Sequence, residues 1–322
     1  MFELLYPDFM PTFLSYDHYL GCAIGIVLNT VVVTGLSLKR SKRLGDYRWF
    51  VVAHTVNDLI SAITMGLLQL CFDFDGTLVM IVNGPFTSLS KMVGKGCFMV
   101  FATGFLLNIS LLALTFIHRY LQICKKHHLY KFSSPGYVTL MLFIIIFPII
   151  LLDMAMIYAY TFSYDFSITA SGEMYAVRAL YVEDIMSPAF LITSALFLSL
   201  TTASYVIVFM CCKKILGFLK EATSSMTEKT KKQQRMLTYV LMLQSITPVF
   251  TSSLPAVGMI IGILVQFRAV RWITWTLTAT FVWLPAINAV ISLAFIAPLR
   301  SMFQKQDHKV SFKVVSLMSY KK

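Results

Sequence analysis

Seven stretches of this chain are too long and too apolar to fold as the core of a water-soluble protein. The fourth is the most demanding: residues 140–152 read LMLFIIIFPIILL. A helix that crosses the hydrocarbon of a bilayer needs about 20 mostly apolar residues. Windows of that kind lie at about 19–38, 50–72, 96–118, 137–161, 189–212, 237–265 and 272–297. Only 13% of the 322 residues are charged, against about 25% in soluble domains. So few charges cannot cover a globule, and lipid must be the solvent for much of the surface. The expected fold class is an all-α membrane protein, a seven-transmembrane helix bundle. No 20–50-residue repeat or low-complexity linker divides it. One domain is expected over 1–303, followed by a short basic tail at 304–322. No cleavable signal pattern is read at the amino terminus.

The charges orient the bundle. Of the 27 basic residues, 22 fall in the loops after the first, third and fifth spans or in the tail. The other side holds five, together with nine acids, among them Asp17, Asp73, Asp165 and Glu183. Lysine and arginine mark the cytoplasmic side, so the amino terminus is expected outside and the carboxyl terminus inside. The net charge of +12 is then a property of cytoplasmic loops facing anionic membrane lipids, and nucleic acid is not an expected partner. The six cysteines show no CxxC or His-rich spacing, so no metal or other cofactor is expected.

Polar residues inside the spans need a reason, because each is costly in hydrocarbon. Asn29, Asp58, Asn108 and Asn288 lie within the first, second, third and seventh spans. They read either as a switching cluster or as an interhelical hydrogen-bond staple. Asp153 sits in the outer half of the fourth span, placed either to meet a ligand or to pair with a neighbour. Prolines 148, 248, 255 and 285 interrupt spans; the two in the sixth lie well above its basic start, where a hinge would let the inner end swing.

At the inner end of the third span the chain reads FIHRYLQIC. Arg119, between His118 and Tyr120, either snorkels to the headgroups or acts as a switch. Together with SKRLGDYRWF before the second span, MTEKTKKQQRMLTYVLMLQSITPVF entering the sixth and NAVISLAFIAPLR closing the seventh, this motif resembles the nematode serpentine chemoreceptors of the Str type, within the rhodopsin-like G-protein-coupled receptor architecture. The match runs over about residues 15–303.

The resemblance implies a chemosensory receptor in the plasma membrane, in the sensory cilium of a chemosensory neuron. It would bind a small, volatile or lipophilic ligand outside and a heterotrimeric G protein α subunit inside. It implies coupling through His118, Arg119 and Tyr120, with Lys229, Lys232 and Arg235 at the start of the sixth helix. It also implies that Asn29 and Asp58 line a central ion-and-water pocket, with Na⁺ at Asp58 as a further step. The ligand pocket would draw on Phe101, Phe105, Asp153 and Trp283. Rhodopsin-type receptors tie the third helix to the second outer loop by a disulfide; residues 162–188 hold no cysteine, leaving Cys71–Cys97 as the candidate. Two departures stand out. His118 occupies the place of the usual acid, so a lock on Arg119 must come from elsewhere. The seventh span carries Asn288-Ala-Val-Ile-Ser292 instead of the usual Asn-Pro-x-x-Tyr. The seventh span has no lysine for a retinal Schiff base. No enzymatic function is expected, since no HExxH or paired intramembrane aspartates occur; a transporter or channel is the alternative.

Overall fold

A computed structural model describes residues 2–3, 10–38, 47–74, 77–125, 127, 134–170, 173–221, 228–267, 270–296 and 299. The helices are α1 (Met10–Ser37), α2 (Tyr47–Leu68), α3 (Lys91–Cys124), α4 (Pro135–Ala159), α5 (Pro188–Glu221), α6 (Glu228–Pro248), α7 (Leu254–Leu264), α8 (Val270–Phe281) and α9 (Leu284–Phe295). A π turn at Val249–Ser253 joins α6 to α7. Among the described residues six helical segments are long and apolar enough to cross a membrane, and α8 with α9 makes the seventh, bent by 49°.

The helices pack through small residues, as expected where lipid removes the hydrophobic drive between them. At Gly66 an added Cβ would come within 2.5 Å of Cys22 Sγ, so α1 and α2 approach there because glycine has no side chain. Asn57 donates to the Gly104 carbonyl at 2.8 Å and ties α2 to α3.

The sixth span passes through its π turn between its two prolines, Pro248 and Pro255. Pro255 has no N–H for the carbonyl four residues back, that of Thr251. Thr280 of α8 donates to that carbonyl at 2.7 Å, while also touching the Thr276 carbonyl of its own helix at 2.8 Å. A neighbouring helix thus satisfies the group that proline frees. Thr280→Val should destabilise the protein by about 1 kcal/mol, and Thr280→Ser should restore it. Thermal unfolding in detergent checks both.

At one end of the bundle the chain forms strands that the span assignment does not contain: β1 (Phe2–Glu3), β2 (Leu70–Phe74), β3 (Leu78–Val82), β4 (Thr161–Ala170) and β5 (Glu173–Tyr181). They form one sheet in the order β1-β4-β5-β3-β2. Only the β1–β4 pairing is parallel. The strands alternate with period two. Phe72, Phe74, Met80, Phe162 and Leu180 face the bundle core, whereas Val79, Ile81, Ile168 and Ala179 cluster on the other face. The second and fourth helices therefore end earlier than expected, at Leu68 and Ala159 instead of about 72 and 161. The third runs further in both directions than 96–118. The tail at 304–322 lies outside the described residues.

Candidate functional site

Two layers of side chains are set apart by chemistry: a polar track at the end of the bundle where α3 terminates, and an apolar cavity beneath the sheet.

α3 carries Arg119 into its last turns, and the side chain is 1% exposed. Its guanidinium lies over the ring of Tyr47, 5.4 Å from the centroid. Nη1 donates to Gln122 Oε1 at 3.0 Å, one turn further along α3. Among the described residues Nε and Nη2 have no acceptor, and the buried Tyr47 hydroxyl has no partner either. The hold that the described residues give Arg119 is therefore an aromatic face at the start of α2 instead of a carboxyl group. His118 turns toward α2, its ring 4.7 Å from that of Phe50. Tyr120 lies under Lys214 of α5, 5.5 Å from Nζ to its centroid. Tyr47 belongs to an apolar layer with Phe116, Ile123, Ile215, Leu219 and Leu241, which draws together α2, α3, α5 and α6. The backbone of Lys229, Lys232 and Arg235 is helical within α6; their side chains lie outside the described residues.

Asp58 of α2 is 3% exposed. Its Oδ1 accepts from Asn108 Nδ2 at 2.6 Å, and its Oδ2 from Asn288 Nδ2 at 3.1 Å. One carboxyl group thus joins α2, α3 and α9. Asn29 does not bond to Asp58. It donates to the carbonyls of Gly25 (2.8 Å) and Pro285 (3.0 Å), fastening α1 to the proline turn of α9. All four residues line one cavity of about 20 Å³, room for about one water. The same cavity reaches Tyr47, and so the residue that holds Arg119.

His54, Gln244 and Ser292 also line this cavity; none of them belongs to the polar cluster read from the sequence, where Ser292 stands out only as a departure from Asn-Pro-x-x-Tyr. Gln244 Nε2 donates to Ser292 Oγ at 2.9 Å, linking α6 to α9. A glutamine inside the apolar run VLMLQSITP was the available signal, since a polar residue in hydrocarbon seeks a partner. Among the described residues no three His, Cys, Asp or Glu side chains gather as a metal site. The oxygens of Asp58 face the amide N–H groups of Asn108 and Asn288.

A second cavity, of about 90 Å³, lies between the sheet and α3, α4, α5, α7 and α8. Phe72 and Met80 roof it from the sheet; Phe101, Phe105, Phe197 and Phe281 form its aromatic wall. Phe105 stacks on Phe197 with centroids 5.8 Å apart and 14° between planes, and Phe101 and Phe105 each lie 5.0 Å from Phe281. Of the four residues expected in a ligand pocket, Phe101 and Phe105 line this one. Asp153 and Trp283 are outside its lining: Asp153 accepts from Thr103 Oγ1 at 2.7 Å, and Trp283 donates to Asp17 Oδ1 at 2.9 Å. Each polar side chain takes a polar neighbour over an apolar void.

The expected Cys71–Cys97 bond is absent: neither cysteine is in a disulfide. Strand alternation explains it. Cys71 packs with the Val79–Ile81 face of the sheet, whereas Cys97 packs on the bundle core that the opposite face covers.

No curated protein matches this chain. Among solved structures, the crystal structure of squid rhodopsin is similar, with a TM-score of 0.61 over 92% of this chain and 85% of that one, at 15% identity. That likeness establishes the fold alone. The family model for the serpentine type 7TM GPCR chemoreceptor Srd matches residues 14–305, a serpentine chemoreceptor family as the motifs suggested, with Srd in place of the Str type. With seven spans in a rhodopsin-like bundle and a family match over nearly its whole length, this chain belongs to the Srd family of serpentine G-protein-coupled chemoreceptors.

Proposed function

We propose that the protein detects a small uncharged ligand in the aromatic cavity beneath the sheet and activates a heterotrimeric G protein through its α subunit at the Arg119 end. In this reading the sheet lies outside the cell and the Arg119 end inside, on the strength of the lysine and arginine bias. Lys229, Lys232 and Arg235 at the start of α6 meet anionic headgroups and flank the docking crevice. The receptor works in the plasma membrane of a chemosensory neuron, in its sensory cilium. It acts by binding, with no enzymatic step. A transporter built on paired broken helices is not favoured, since α8–α9 is the one bent pair among the described residues.

The observation that carries the reading is the state of Arg119. A guanidinium 1% exposed, with two nitrogens lacking acceptors, is expensive to hold in an apolar layer. Outward movement of α6 would open that layer and give the group a partner. The cation–π contact with Tyr47 is then a restraint on the resting state, worth about 1 kcal/mol when partly desolvated.

Tyr47→Ala should raise ligand-independent coupling about fivefold, the factor equivalent to that restraint. Tyr47→Phe keeps the ring and should leave basal coupling unchanged. A cAMP, cGMP or calcium reporter in transfected cells, normalised to surface protein, reads both. Basal coupling that stays flat in Tyr47→Ala at normal surface levels would sink the reading.

A further inference from the structure

We infer that the cavity beneath the sheet selects compact, uncharged molecules of about four to six non-hydrogen atoms that carry one hydrogen-bonding oxygen, and that Ser194 is the residue that selects for the oxygen. The inference rests on reading this cavity as the ligand site and goes on to name the ligand class.

Size sets the first limit. The cavity measures about 90 Å³, smaller than the roughly 150 Å³ apolar cavity that accepts benzene. Its aromatic wall is braced ring against ring from α3, α5 and α8, so growth would require displacing packed phenyl groups. So small a ligand binds no tighter than about micromolar.

Charge sets the second limit. Among the described residues the lining contains no ionisable acid or base other than the phenol of Tyr160. A charged ligand would lose its water and find no opposite charge.

Ser194 sets the third. It lines the cavity, is 3% exposed, and its hydroxyl has no hydrogen-bond partner among the described residues. Serine and threonine in helices ordinarily bond back to a carbonyl three or four residues earlier. Its neighbour Thr193 does so, donating to the Ala189 carbonyl at 2.8 Å, and Ser199 bonds to Leu196 at 3.0 Å. Ser194 forgoes that bond while buried against an apolar void. A buried hydroxyl left unpaired is unfavourable, and a ligand oxygen at the cavity wall would satisfy it. An isosteric hydrocarbon would fill the same space and leave it unpaired.

The test uses full-length receptor in lipid nanodiscs and two probes of nearly equal shape, 2-butanone and 2-methyl-1-butene, with binding followed by ligand-observed NMR. The ketone should bind about 5- to 10-fold more tightly than the alkene, the worth of one hydrogen bond. Ser194→Ala should erase that preference and leave alkene affinity unchanged. Ala102→Leu, which fills the cavity from α3, should abolish binding of both. If Ser194→Ala preserves the preference while Ala102→Leu abolishes binding, the role of Ser194 is overturned and the cavity remains the ligand site. If Ala102→Leu changes nothing, or neither probe binds, the cavity assignment falls with it. Equal binding of 2-octanone or butylammonium would overturn the limits of size and charge.

Discussion

Arg119→Ala should abolish ligand-driven G-protein activation, to about a hundredth of wild type or less, while surface expression stays largely intact. The two halves of this expectation have separate causes. Signalling is lost because no other basic side chain is held in the apolar layer between α2, α3, α5 and α6 among the described residues. Folding survives because the substitution removes an expensive group: a buried guanidinium with one hydrogen bond to Gln122 and two nitrogens without acceptors. Breaking a paired buried charge is costly because its partner is stranded, but among the described residues no carboxylate is left behind here, only the face of Tyr47 and the amide of Gln122. A reporter assay normalised to surface labelling decides the matter. Normal activation by the alanine variant would refute the switch role, and a matching fall in surface protein would make Arg119 a structural residue.

Asp58→Asn should lower the maximal ligand-driven response at least tenfold with surface protein within about twofold of wild type. The replacement is isosteric, so packing is kept. It changes acceptor capacity: the carboxyl group takes bonds from the amides of Asn108 and Asn288 on its two oxygens, whereas an amide offers one oxygen and turns N–H groups toward another donor. The tie to one of the two helices is then weakened, at a cost of about 1–3 kcal/mol. That loosens α9 or α3 from α2 within the cavity that reaches Tyr47. Flow cytometry alongside the reporter separates the outcomes, since parallel losses of surface protein and response would show that Asp58 is a staple without a switching role. The variant also bears on Asn29, which bonds to the Pro285 carbonyl independently and should keep α1 on α9.

Much of the bundle was legible because hydrocarbon punishes ambiguity. Runs such as LMLFIIIFPIILL have no stable place except a lipid-facing helix, and the exposed Phe143, Phe147 and Ile150 of α4 accord with that surface. The sheet was also legible in principle. TFSYDFSITA alternates with period two, and Asp75-Gly76 between two apolar runs is a hairpin signal. The hydropathy reading hides it because residues 70–72 and 160–161 extend the preceding apolar spans. The same error made Cys71 look like a neighbour of Cys97, since a residue at a helix end has no defined sheet face and a residue on β2 does.

The sequence by itself determined the number of crossings, the charge asymmetry between the two ends and the family motifs, because these depend on chain length, hydropathy and residue order alone. The tertiary structure decided which polar groups meet. Asp58 takes Asn108 and Asn288 but not Asn29, Asp153 takes Thr103, Trp283 takes Asp17, and Arg119 takes the Tyr47 ring. In the apolar interior a polar side chain is costly until it finds a partner, and helix rotation and the 49° bend of α8–α9 set which partners are within reach.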